Sequence, residues 1–417
     1  MSEATETDLA PSVEQGPSGE RPPPFPLRWW MPIVLLFPSL FLRIVNIGSA
    51  RNFIDDANLH VLTALAYTRS GLLGPDSWWS PPLKHLLTAA DIALFGNDEI
   101  GWRLKGALFG ALAVYLVFLV SRRAFRHTLP AFAAAILLML DPYSISMSHT
   151  THEDLPVVCF ILLGILFFLR WADDRNEWES LAAGLFFGAA VGLRWYAAVA
   201  AGVVVLCIVW MQRKELGRAL ATAATLSSTL VATYLAAYLP WLARGYSLAE
   251  WASLQFDALR VQGGRYQLSD HLLSYAGAQR WFISWVGGRE AATGNPAHLT
   301  ALTNDPVIWF FFIPSALLLC YVAAKRRRIE WFALSATLLV TYAFFLASPR
   351  PIIIYSAMGV VSLGCVCAGF AIAYLFKRSG WLVLCVAGAW SLLLFPAVGG
   401  VYLPPLLNQL LLRTVLR

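Results

Sequence analysis

The chain has 417 residues, of which 58% are hydrophobic and 13% charged, and its mean hydropathy is +0.61. A soluble globule carries about a quarter charged residues, so this composition excludes one and calls for a lipid bilayer as solvent. The net charge of +6 would suit a nucleic-acid partner, but the 31 basic residues are scattered between apolar runs, which excludes nucleic acid as the reason for the charge.

Residues 1–28 are rich in Pro, Glu, Ser and Thr and end in Pro22, Pro23, Pro24 and Pro26; too little apolar surface is available to order them, and a disordered cytoplasmic tail is predicted. The first apolar run, Trp29 to Gly48, ends in the small residues Gly48-Ser49-Ala50. Its length after an acidic tail favours an uncleaved first span over a signal peptide. Ten more apolar runs follow, near 104–121, 129–147, 155–171, 180–194, 195–210, 219–240, 306–324, 331–347, 352–376 and 381–403. Because crossing about 30 Å of hydrocarbon takes roughly 20 apolar residues, the reading is an all-α polytopic membrane protein with about eleven spans.

With the N-terminus inside, the short inner loops carry Arg122, Arg123, Arg126, Arg170, Arg175, Arg213, Lys214, Arg218, Lys325 to Arg328, Lys377 and Arg378. The short outer loops carry only Arg194 and Arg350, an asymmetry that predicts this orientation. Two long segments, 49–102 and 241–305, then face outward. Within the first, Ala57 to Leu73 and Leu83 to Phe95 are too short or too polar to span and are predicted as helices at the membrane surface, as is the tail Leu406 to Arg417. Residues 29–417 form one membrane module. All six cysteines lie in apolar runs and behave as small hydrophobes; no disulfide or zinc site is implied. No internal repeat is evident, which removes one pointer to a transporter.

Chemistry is expected at the outer face. Asp55-Asp56 follows the first span and His152-Glu153-Asp154 opens the fourth. Two carboxylate groups on one face suit a general base with its partner, or a divalent cation held by oxygen ligands; the metal is left open. Asp141, followed by Pro142, reads as a helix-end residue. Arg43, Arg194 and Arg350 sit at outer ends of spans, where they either anchor to headgroups or clamp a lipid phosphate through planar guanidinium groups. In Trp78-Trp79-Ser80-Pro81-Pro82-Leu83-Lys84-His85 the tandem aromatics suit the headgroup layer, and Pro82 suits a helix start.

These residues carry a resemblance. The chain resembles the GT-C class of membrane glycosyltransferases that use polyprenyl-phosphate sugars, in particular the protein O-mannosyltransferases and the bacterial aminoarabinose transferases. Arg43 precedes the acidic pair Asp55-Asp56, as in that family. Its His-Pro-Pro-Leu motif stands here as Ser80-Pro81-Pro82-Leu83. Its Phe-Gly-x-x-Glu-x-x-x-Arg-Leu-x-x-Ala-Leu-Phe-Gly block is complete as Phe95-Gly96, Glu99, Arg103-Leu104 and Ala107 to Gly110. Its Asp-Pro followed by Ser-Arg-x-x-x-x-Asp stands as Asp141-Pro142, Ser148-His149 and Asp154, and Arg350 with Tyr355 resembles the head of a late span. Ser80 and His149 depart from the family's histidine and arginine.

The resemblance implies a GT-C-like helical bundle at the plasma membrane of a bacterium or archaeon, with its site facing outward. A monosaccharide would pass from a polyprenyl-phosphate donor to a hydroxyl of a protein, lipid or glycan, with inversion. Asp55, Asp56 and Asp154 would be catalytic. Substrate would be held by Arg43, Pro81, Pro82, Lys84, His85, Arg103, His149, Glu153, Arg194, Arg350 and Tyr355. Arg265 and Arg289, each beside a glycine pair in the 241–305 loop, join them as groups expected to move toward the lipid phosphate. No cofactor is implied with certainty, and a divalent cation is possible. The rival from another class is a transporter or lipid flippase, which would place ionisable residues along a path at mid-membrane depth.

Overall fold

The computed structural model describes residues 25–48, 57–70, 81–262, 305–347, 354–401, 404 and 406. Regular structure among them is helical. The first part comprises α1 (Trp30–Ile44), α2 (Ala57–Ser70), α3 (Leu83–Phe95), α4 (Glu99–Phe125), α5 (Thr128–Leu140), α6 (Pro142–Met147), α7 (Asp154–Asp174), α8 (Glu177–Val191) and α9 (Ala197–Met211). Then come α10 (Leu216–Ala236), the single turn α11 (Leu239–Leu242), α12 (Leu248–Gln262), the single turn α13 (Pro306–Trp309), α14 (Phe312–Lys325), α15 (Ile329–Ala347), α16 (Met358–Ala371) and α17 (Gly380–Val398).

Local chemistry sets the helix ends. Asp98 accepts from the amides of Ile100 and Gly101 and so starts α4, while Asn176 accepts from Trp178 N at the head of α8. Arg126 and Arg175 close α4 and α7 in the left-handed conformation, with φ of 57° and 54°. Each of the eleven apolar runs is largely helical. The run 129–147, predicted as one span, is broken at Asp141. That side chain accepts from Ser144 N at 2.8 Å and from Trp309 Nε1 at 2.9 Å, so it caps α6 as a helix-end residue should.

Among the described helices, α4, α7, α10, α15 and the stretch Met358–Phe376 have the length and apolarity to cross a membrane, and five shorter helices are also apolar. The core lies where α4, α5, α7 and α16 meet, and every residue of α16 is buried. Lipid gives helices no hydrophobic reason to associate, so close packing at small residues does that work. Gly106 is the instance nearest the site: a Cβ there would stand 2.8 Å from the Ser148 carbonyl oxygen and 3.2 Å from that of Thr150. Only glycine lets the 148–152 loop lie on α4.

The bundle has two chemically distinct ends. At one, Arg122 Nε donates to the Phe25 carbonyl at 2.8 Å, Arg123 pairs with Asp173 at 2.7 Å, and Trp331 Nε1 donates to the Ala124 carbonyl at 2.7 Å. This arginine-rich end gathers Phe25, ahead of α1, and the first two predicted inner loops. At the other end α2 and α3 pack together through Val61, Ala64 and Ile92, covering the head of α7.

Candidate active site

The site grows from the head of α7. The break at Asp141 turns the chain through α6, and the loop behind it is tied down locally. Ser148 Oγ donates to Ser144 O at 2.9 Å, and Thr150 Oγ1 donates to Met147 O at 2.8 Å. All residues from Ser148 to Asp154 are buried, which delivers Glu153 and Asp154 into the protein rather than into solvent.

Arg194, between α8 and α9, holds both carboxylates. Its Nε lies 2.8 Å from Glu153 Oε1 and its Nη2 lies 3.3 Å from Asp154 Oδ2. Tyr196 OH donates to Asp154 Oδ1 at 3.5 Å. From α3, Lys84 Nζ stands 3.8 Å from Glu153 Oε1. From α2, His60 Nε2 stands 4.0 Å from Glu153 Oε2, with His85 and His152 rings around it at centroid distances of 5.5 and 6.1 Å. A second buried cation fixes α3 on α4: Lys105 Nζ donates to Thr88 Oγ1 at 2.7 Å and faces Asp91 Oδ2 at 3.8 Å.

Burial and neighbouring charge set the protonation states. Burial alone would push the Glu153 carboxyl up, but Arg194 and then Lys84 hold it well below its ordinary range, so it is a carboxylate. Burial and then Lys84 push His85 down to about 3 against the opposing pull of Glu153, and push His60 well down. Both rings are neutral at pH 7. Asp91 is pushed up to about 6 by burial, with Lys105 opposing. An ionised carboxylate, two cations and the neutral imidazoles of His60 and His85 thus share one enclosed space.

Of the residues expected from sequence, the structure brings together Lys84, His85, Glu153, Asp154 and Arg194. Pro81 is buried and Pro82 precedes the first turn of α3. Arg43 and Arg103, grouped with them by position in the chain, are instead embedded in the protein. Arg43 donates to Ser39 Oγ at 2.9 Å, Leu138 O at 3.2 Å and Ser144 Oγ at 2.9 Å; it is fully buried and ties α1 to the α5–α6 break. Arg103 donates to Ile47 O at 2.9 Å. His149 is buried beside that pair and is pushed down to about 4, by burial and then by Arg103. Tyr355 lies in a 3-10 turn, Ile354–Ala357. Asp55, Asp56, Ser80, Arg265, Arg289 and Arg350 lie outside the described residues, and so does the expected closeness of Asp55 to Asp154.

His60, Lys105 and Tyr196 were not singled out in the sequence. The only signal for Tyr196 was its place two residues after Arg194. His60 had its nearness to the Asp55-Asp56 pair, and Lys105 was a lone cation in an apolar run.

The family model for dolichyl-phosphate-mannose-protein mannosyltransferase matches residues 80–243, the stretch that supplies Lys84, Glu153, Asp154 and Arg194. The fold matches that of ArnT from Cupriavidus metallidurans bound to undecaprenyl phosphate. That match has a TM-score of 0.64 at 17% identity over 87% of this chain and 63% of that one. The chain therefore resembles the GT-C membrane glycosyltransferases in sequence and in fold. The protein O-mannosyltransferase Pmt1-Pmt2 complex of S. cerevisiae, bound to the sugar donor, has the same fold, with a TM-score of 0.74 at 11% identity over 93% and 92% of the two chains. In sequence, the polyprenol-phosphate-mannose–protein mannosyltransferase of Mycolicibacterium smegmatis strain MKD8 is 26% identical over 292 residues, 56% of this chain and 55% of that protein. The chain spans about half the length of the curated relatives it matches.

Proposed function

We propose that this chain is a membrane glycosyltransferase that moves a monosaccharide from a polyprenyl-phosphate donor to an acceptor hydroxyl at the outer face of the plasma membrane. The observation that carries the reading is the Glu153–Asp154 pair held by Arg194 with Lys84 beside it, inside the family-matched stretch and at the end of the bundle opposite the arginine-rich one. The positive-inside asymmetry turns that end outward. A transporter would spread ionisable groups along a path, whereas the described ones gather toward the two ends.

In the proposed reaction the acceptor oxygen attacks the anomeric carbon and the carbon–oxygen bond to phosphate breaks, its electron pair staying on phosphate. The acceptor proton passes to a carboxylate, which by the family resemblance is Asp55, with Asp56 next to it. A single displacement inverts the anomeric centre. Charge grows on the departing phosphate, and Lys84 and Arg194 are fixed donors that stabilise it without reorganising. Glu153 and Asp154 hold the Arg194 guanidinium in place for that contact. The acceptor is a hydroxyl of a protein, lipid or glycan, and the relatives' names make mannose the first sugar to try.

The test is transfer by the full chain in nanodiscs, with radiolabelled polyprenyl-phosphate mannose or aminoarabinose and a membrane extract as acceptor source. Labelled acceptor together with released polyprenyl phosphate is expected. A preparation that binds polyprenyl phosphate yet consumes neither donor contradicts the transferase reading for these sugars.

A further inference from the structure

The imidazoles around Glu153 have no part in the transfer just described. His60 from α2, and His152 and Glu153 from the loop that enters α7, offer three ligand atoms that lie within 4.8 Å of one another, all on buried side chains. The structural elements arrive from distant parts of the sequence, yet the donors converge. His60 Nδ1 is buried without a hydrogen-bond partner among the described residues.

We infer that His60, His152 and Glu153 form a binding site for a divalent transition-metal ion, of which zinc is the best fit. Zinc bonds to imidazole nitrogen and carboxylate oxygen are about 2.0–2.2 Å long, which sets tetrahedral donors about 3.3 Å apart. The donors lie within 4.8 Å of one another, so metal binding draws them closer together. Two imidazoles with one carboxylate select zinc, copper or nickel over the oxygen-seeking magnesium and calcium. The site is therefore unlike an all-carboxylate cation site.

The two oxygens of Glu153 have separate duties. Oε1 takes Arg194 and Lys84, while Oε2 faces His60. An outer partner on one oxygen orients the other toward a metal, the usual arrangement around ligating carboxylates. Arg194 and Lys84 oppose a second cation nearby, but the Glu153 and Asp154 carboxylates balance them. Three protein ligands leave a fourth position for water or a phosphate oxygen.

Binding is measured without sugar donor, so its outcome is independent of the transferase reading. The full chain is purified in detergent through a tag that contains no histidine, stripped with chelator and titrated with zinc against a chromophoric chelator. About one zinc per chain is expected, with an X-ray absorption spectrum showing two imidazole scatterers. His60→Ala and His152→Ala should each weaken binding at least about tenfold, by the measure of metal-site perturbations. His127→Ala, at the head of α5 where the ring accepts from Leu129 N, should leave it unchanged. No zinc bound above the detergent blank, an all-oxygen shell, or undiminished binding in folded His60→Ala and His152→Ala protein overturns the site. Where a variant does not fold, the scatterers in the wild-type spectrum decide.

Discussion

The two ends of the bundle use charge in opposite ways. At the arginine-rich end Asp173 is shared by Arg123 and Arg126, Asp174 adds a second partner for Arg123, and the Asp174 side chain is 62% exposed. Asp173 keeps one arginine if the other is lost. At the other end a single arginine holds two buried carboxylates, and Lys84 and three histidines crowd the same volume. Redundant ion pairs are a means of joining helices and setting topology. Two buried carboxylates with one shared partner are held in fixed positions at a cost in desolvation, which is what a reaction centre requires.

The sharpest way to break this contrast is to remove the shared partner. Arg194→Ala leaves both carboxylates buried without their common cation, and about 3–5 kcal/mol of stability should be lost, the scale for half of a buried pair, with transfer falling below detection. Thermal unfolding and donor turnover check this together. Arg194→Lys, which keeps charge but loses the planar fork, should fold and still bind donor more weakly than wild type; equal donor affinity would return Arg194 to a purely structural role.

Next comes the support of the cluster. Gly106→Ala pushes a methyl group against the Ser148 carbonyl, 2.8 Å away, and overpacking of this kind costs about 1–3 kcal/mol. Because the displaced loop carries His152, Glu153 and Asp154, turnover should fall further than the melting temperature alone would suggest. If the variant is destabilised but fully active, the loop is not a positioning element.

A smaller effect is expected from His149, held down at about 4. Unfolded, it titrates near 6.5. Between those values the unfolded chain takes up a proton that the folded chain refuses, so the contribution of His149 is intact above about pH 6.5 and is lost as pH falls toward 4. His149→Gln should flatten the acid side of the stability profile by about 1 kcal/mol per pH unit, read from melting temperatures between pH 7 and 4.5. Equal slopes in the two proteins would mean that the ring takes its proton without unfolding.

The smallest effect belongs to the other end. Arg123→Ala leaves Asp173 with Arg126, so a smaller loss of stability than in Arg194→Ala is expected, with turnover untouched. A large loss of activity from this substitution would erase the distinction between the two ends.

Much of this was legible in the sequence. Bilayer thickness dictates the length of apolar runs, so the positions of the helices followed, and Asp141-Pro142 already marked the helix end that splits the third run. Lys84, His85, Glu153, Asp154 and Arg194 followed from motif and predicted face. The side to which a residue turns did not follow. Arg43 stands near a helix end, as expected, yet its partners Leu138 and Ser144 lie 95 and 101 positions away, and only their packing shows that it is enclosed. His60 and Lys105 gave only faint local signals because their meaning arises when α2, α3, α4 and the head of α7 converge. A lone histidine or lysine on a helix looks the same in sequence whether it meets Glu153 or a lipid headgroup.

The central claim is that the Glu153–Asp154–Arg194 cluster receives the phosphate of a polyprenyl-phosphate sugar. Electron cryo-microscopy of the full chain in nanodiscs with a non-hydrolysable donor analogue tests it most directly. Phosphate density is expected within about 3 Å of the Arg194 guanidinium or the Lys84 ammonium, the reach of a charge-assisted hydrogen bond. Phosphate density at the arginine-rich end, beside Arg123 and Arg126, would contradict it.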